Sequence, residues 1–156
     1  MGTAKQVSVF LENKPGRLAN VLRALERQKV NVTGMAVMES HDHRVLRMVT
    51  NDVGRTAQVL RDISTPFTET EVLLVELRNQ PGALARVCEQ LAEEHISIDY
   101  CYVSSGGRNG KVYGIFKVSN HDKAARLLSG SANHTAPKRK GKQHPLRDRR
   151  SFSGMD

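Results

Sequence analysis

Two short stretches hold the residue types that could do chemistry. Asn13-Lys14-Pro15-Gly16-Arg17-Leu18 and, sixty-six positions on, Asn79-Gln80-Pro81-Gly82-Ala83-Leu84 each end an alternating apolar run and open a helical pattern. A helix starting at such a turn aims unpaired backbone N–H groups and roughly half a positive charge outward, which suits a carboxylate. Gly16 and Gly82 let a molecule approach the backbone where a Cβ would intrude. The Asn side chain offers a donor and an acceptor together. The chemistry on offer is binding. No Ser/His/Asp order, paired carboxylates in an apolar setting or phosphate-binding glycine loop is present, so no catalytic residue is assigned and the chain is not read as an enzyme. Gly106-Gly107-Arg108-Asn109-Gly110 joins two strands and lacks the strand-to-helix context of a nucleotide loop. His41 and His43 form a His-x-His pair without a third ligand nearby, and neither a metal nor another cofactor is expected. A plainer reading stands beside the binding one: Asn13 and Asn79 cap their helices, while Lys14 and Arg17 are solvated. His95 reads as a surface residue.

The elements that must position these turns repeat at the same offset. Val7, Val9 and Leu11 lead into the first turn; Leu73, Val75 and Leu77 lead into the second. After them, Leu18, Val21, Leu22 and Leu25 match Leu84, Val87, Cys88 and Leu91, spaced as one face of an amphipathic helix. A second strand begins at Val30-Asn31-Val32 and again at Ile96-Ser97-Ile98. The pattern predicts a duplicated α+β domain in ferredoxin-like βαββαβ order, each copy a four-stranded antiparallel sheet with helices on one face. In the first copy the strands are placed at Gln6–Leu11, Val30–Glu39, Arg44–Thr50 and about Phe67–Thr70, with Asp52 as the N-cap of its second helix. The expected units are residues 5–70 and 71–128, joined without a flexible linker and therefore docked.

The second copy breaks down at its end. The positions matching the fourth strand, 132–136, show no apolar alternation, so that unit is expected to lack a clear final strand and to leave an open edge for a partner. Residues 129–156 read as a disordered basic tail. Residues 1–128 hold 17 Lys/Arg against 14 Asp/Glu, whereas the tail holds 7 against 2, so most of the net +8 lies there. Such a tail suits non-specific contact with polyanions. No run approaches the roughly 20 apolar residues that span a bilayer, and no apolar leader opens the chain, so the expectation is a cytoplasmic protein without membrane insertion. Cys88 and Cys101 are read as small core hydrophobes. Units this small are marginal alone and lean on each other or on a second chain.

These residues resemble the ACT domain, the amino-acid-sensing module of biosynthetic enzymes, and the chain is similar to stand-alone tandem ACT proteins over about residues 5–128. Leu11 to Ala19, Val30-Asn31-Val32, and in the second copy Leu77, Asn79, Pro81, Gly82, Leu84, Ala85, Ile96 and Ile98 carry the resemblance. It implies an allosteric regulatory protein that binds an amino acid at the turn, against a neighbouring ACT unit, in a homodimer. The site it implies comprises Asn13, Lys14, Pro15, Gly16, Arg17, Leu18, Asn31 and Val32, and in the second copy Asn79, Gln80, Pro81, Gly82, Ala83, Leu84, Ser97 and Ile98. Asn13 and Asn31 match the family's ligand-touching asparagines; Ser97 replaces the second of them in the other copy. Leu11 and Leu77 stand where the family's serine sensor has His, so the amino acid is not named by the resemblance. It also extends to regulatory subunits acting in trans on a biosynthetic enzyme such as acetolactate synthase.

RNA binding is the rival from another class, because RNA-recognition domains share the βαββαβ order and Lys111-Val112-Tyr113-Gly114-Ile115-Phe116 echoes their third-strand motif. That mechanism requires aromatics stacked on adjacent strands. Leu73-Leu74-Val75 offers none.

Overall fold

The computed structural model describes residues 2–40, 43–104 and 111–130. Along the chain run β1 (Gly2–Glu12), α1 (Arg17–Arg27), β2 (Val32–Ser40), β3 (His43–Thr50), α2 (Val53–Asp62), β4 (Phe67–Arg78), α3 (Ala83–Glu93), β5 (Ile98–Val103), β6 (Lys111–Val118) and α4 (His121–Gly130). Each βαββα set follows the predicted order. The period-two positions Val7, Val9 and Leu11, and Leu73, Val75 and Leu77, are all buried, as alternation requires of a half-covered sheet. Helices α1 and α2 close a core with Val7, Val9, Leu46 and Met48; α3 and α4 close a second with Leu73, Val75, Phe116 and Val118.

Caps repeat as faithfully as cores. The Asp52 carboxylate accepts from the Arg55 N–H at 2.9 Å, and the Asn120 amide oxygen accepts from the Lys123 N–H at 3.0 Å. These two caps lie 68 positions apart, two more than the turns, and the extra residues fall between β5 and β6.

The strands form one six-stranded antiparallel sheet in the order β2-β3-β1-β4-β6-β5. Its two central strands are longer than a single unit needs. The early part of β4 pairs with β1 (Phe67 opposite Val9), and its later part pairs with β6 (Leu77 opposite Val112). In the same way β1 pairs with β3 from Val7 onward, while Gly2 to Gln6 lie only against β4. The N-terminal half of β1 thus occupies the fourth-strand position of the second unit. This corrects the expected open edge. The second half has no final strand of its own among the described residues, but the edge of β4 is covered from within. The physical reason is length: β1 begins at Gly2, five residues before Val7, where the apolar alternation that marked it starts.

All four helices sit on one face of the sheet, because Phe67 in the first core and Leu73, Val75 and Leu77 in the second share parity along β4. The helix-free face is concave. Its two edges, β2 and β5, come into contact across it, and a Cβ on Gly34 would stand 2.8 Å from Ile115 Cδ1 and 3.4 Å from Ser104 Cβ. Val49, Val72 and Ile115 form a third buried cluster there, with Ala4, Leu74 and Tyr102 against it. Gln6, fully buried, bridges the concavity: its amide nitrogen donates to Ser8 Oγ (3.0 Å) and Tyr100 Oη (2.9 Å), and its oxygen accepts from Tyr102 (3.0 Å). The Arg47 guanidinium stacks 3.6 Å above the Tyr100 ring.

Candidate functional site

The two turns have one backbone geometry. In the first, Lys14 N–H donates to Glu12 O at 2.8 Å and Asn20 N–H to Gly16 O at 2.9 Å; in the second, Gln80 donates to Arg78 at 2.8 Å and Arg86 to Gly82 at 3.1 Å. Gly16 and Gly82 are the N-cap residues of α1 and α3, at φ +84° and +81°, a left-handed conformation that favours glycine. Neither helix has a side-chain cap, so Asn13 and Asn79 do not serve as the caps that the plainer reading assigned them.

Asn13, Lys14, Pro15, Gly16, Arg17 and Leu18 come together around a pocket of about 220 Å³, closed by Leu11, Glu12, Val37 and Arg44. That is below the range of about 300–1,000 Å³ typical of drug-sized ligands and suits a smaller molecule. The Glu12 carboxylate lies 2.7 Å from Arg17 Nη2 and 3.1 Å from Lys14 Nζ. Hydrogen bonds from Lys14 and then Arg17, with their charges, hold the Glu12 carboxyl below the usual carboxylate range. Leu11, Glu12, Val37 and Arg44 are the lining residues that sequence reasoning missed. Arg44 reaches the turn because β3 sets it opposite Leu11, a register that no spacing in the chain reveals.

Asn31 and Val32 are elsewhere. They line a separate groove of about 660 Å³ with Ala19, Leu22, Arg23 and Lys29, and none of its lining is shared with the turn pocket. The Asn31 N–H is held by Asn51 Oδ1 at 2.9 Å, and the matching Ser97 N–H by Ser119 Oγ at 3.0 Å, so both positions anchor the start of a strand. Ile98 packs against the second core. In the second turn Asn79, Gln80, Pro81 and Gly82 are exposed, Ala83 is buried, and Leu84, expected on the buried helix stripe, is 39% exposed.

Because β1 and β4 are antiparallel, the two turns lie at opposite ends of the sheet, with the strand ends Glu12 and Arg78 about 45 Å apart along the strands. The lining of the first pocket comes wholly from residues 11–44, so the other half of the chain supplies no wall to it.

Other expectations resolve simply. Cys88 is half-buried against the second core, and burial pushes its thiol up. Cys101, expected in the core, is exposed, because it lies on edge strand β5 with a sheet neighbour on one side only. His43 packs edge-on to Phe10 with ring centroids 6.2 Å apart, while His41 and the glycine-rich loop at 106–110 lie outside the described residues, as does the tail beyond 130. His95 is exposed. No helix among the described residues is long and apolar enough to cross a membrane.

A duplicated ferredoxin-like fold on one shared sheet, with a glycine-capped pocket at the first strand-to-helix turn, defines a class of paired small α+β modules. The chain belongs to the ACT domain pair family, whose model matches residues 2–133. Among solved structures it is similar to protein BT0572 from Bacteroides thetaiotaomicron, at 32% identity over 83% of this chain and 89% of that one, with a TM-score of 0.76. The fold is shared with the regulatory subunits of aspartate kinase from Thermus thermophilus (12% identity, 84% and 97% coverage, TM-score 0.60) and Thermus flavus (14%, 85% and 97%, 0.54). A search of the curated proteins found no match.

Proposed function

We propose that this protein is a non-enzymatic regulator that binds an amino acid at its strand-to-helix turn and signals through the arrangement of its ACT units. The observation that carries the reading is the pocket at the first turn, where a left-handed glycine, an Asn and a set of fixed charges converge on a space of about 220 Å³. The helix N-terminus adds a preference for a carboxylate worth about 0.3 to 1 kcal/mol, and up to about 2 when partly buried, so several contacts and exclusion of water must act together.

Since the second half of the chain supplies no wall to the pocket, the neighbouring unit at this site is supplied by a second copy of the chain, in a homodimer. Exposed Met35 and Val37 on edge strand β2 suit such a contact. Ligand held there favours one arrangement of copies over another, and a coupling of about 1 to 3 kcal/mol suffices for a feedback signal. The aspartate kinase regulatory subunits that share the fold make a trans-acting role on a biosynthetic enzyme the natural extension. A soluble, cytoplasmic setting accords with that role.

A thermal-shift screen against the twenty amino acids tests the reading, because a ligand that binds only the folded state raises the melting point with its occupancy. One or a few amino acids are expected to stabilise the protein, and the double variant Gly16→Val with Asn13→Ala is expected to lose that response. A variant that still responds as the parent does rules out the turn as the site. RNA reading by the sheet is disfavoured by the concave helix-free face, where Tyr100 and Tyr102 are already engaged with Gln6 and Arg47.

A further inference from the structure

Strand register makes the two turns comparable position by position. Leu11 stands opposite Arg44 in β3, and its counterpart Leu77 stands opposite Val112 in β6. The first turn is ringed by Glu12, Lys14, Arg17 and Arg44; the same four positions at the second are Arg78, Gln80, Ala83 and Val112. The backbones agree and the charges do not. The glycines differ as well. Around Gly16 nothing lies within 4 Å of where a Cβ would stand, whereas at Gly82 the Arg86 guanidinium lies 3.1 Å from that point.

We propose that the first turn alone is the amino-acid site, with Glu12 as the residue that selects for the α-ammonium group, and that the second turn is a copy that does not take a zwitterion. This rests on the reading under Proposed function and narrows it. Three cations and one carboxylate surround the first pocket, and an amino acid brings one charge of each sign. Glu12 pairs with Lys14 and Arg17. These are exposed ion pairs, weak and readily exchanged. The ligand carboxylate takes over the two cations, and the released Glu12 carboxylate accepts N–H hydrogen bonds from the ligand ammonium. A carboxylic acid without an amino group has to displace Glu12 and offers it nothing in return, so Glu12 excludes simple anions as well as selecting zwitterions. At the second turn the Glu12 position is Arg78, which repels an ammonium, and Arg86 stands over the glycine.

The test uses the full-length chain and the amino acid that gives the largest thermal shift in the screen. Calorimetry is expected to find one ligand per chain. In an isotope-labelled sample the Asn13 and Gly16 amide signals move on titration while those of Asn79 and Gly82 stay in place. Glu12→Gln, at an exposed position where folding is not at stake, is expected to weaken the amino acid at least tenfold and to bind its des-amino analogue as well as or better than the parent does. Two ligands per chain, movement at Gly82, or equal weakening of both compounds overturns the assignment and leaves amino-acid sensing intact. If no amino acid binds the parent protein at all, both readings fall.

Discussion

Gln6 is the least expected residue in the molecule. A polar side chain at the N-terminal end of an apolar strand reads as the solvent-facing partner of Val7, yet it is fully buried with three hydrogen bonds. A buried amide is tolerated only when satisfied, and the tyrosines of β5 satisfy this one. Tyr102→Phe leaves the Gln6 oxygen without its donor and is expected to cost about 1–3 kcal/mol, read from the shift in the urea midpoint at unchanged slope. Burial also pushes the Tyr102 hydroxyl above its ordinary value. A raised folded pKa means stability that is complete below the unfolded value, about 10, and is lost as pH rises through and beyond it. The melting temperature is therefore expected to fall above about pH 10, and less so in Tyr102→Phe. An equal fall in both proteins places the alkaline titration elsewhere.

Among the elements, β1 does two jobs. Its C-terminal half delivers Leu11 and Glu12 to the pocket, and its N-terminal half sheathes β4, with Gly2 opposite Leu74 and Ala4 opposite Val72. Deleting residues 1–5 bares that edge, and an unpaired strand recruits another chain. The expected result is a less stable protein that self-associates, seen by sedimentation and denaturation. A truncated chain as stable and monodisperse as the parent shows that the pairing contributes little. The turns carry a cost of a different kind. Gly16→Ala meets no atom within 4 Å but forces a Cβ into a left-handed conformation, so a loss of about 1–2 kcal/mol is expected from strain alone.

At the scale of the whole molecule, sharing β1 and β4 between the halves removes any plane along which they can part. The expected boundary between residues 70 and 71 falls inside β4, and a single denaturant transition by circular dichroism is expected, with a slope appropriate to the whole described sheet. Two resolved transitions mark separable domains instead. The same architecture sends the two turns to opposite ends of the sheet, so communication between them runs through the central ladder or through a second copy.

The order of elements, the helix-covered cores and the turns were legible in the chain because each rests on local rules. Period two buried Val7, Val9 and Leu11; the helical period buried Val21 and Leu25; only a glycine accepts φ near +84° at position 16. Lys14 and Arg17 lay in plain view beside Glu12, two and five residues away in charge-pairing distance. What the sequence could not determine was everything set by pairing across long separations. Arg44 faces the pocket by strand register, Asn31 lines a different groove, and the sheet curls until Gln6 meets residues 94 and 96 positions distant. Local composition determines which segments become strands and helices, whereas the neighbours that complete a site or cover an edge depend on loop closure and register, and those are decided only when the whole sheet assembles.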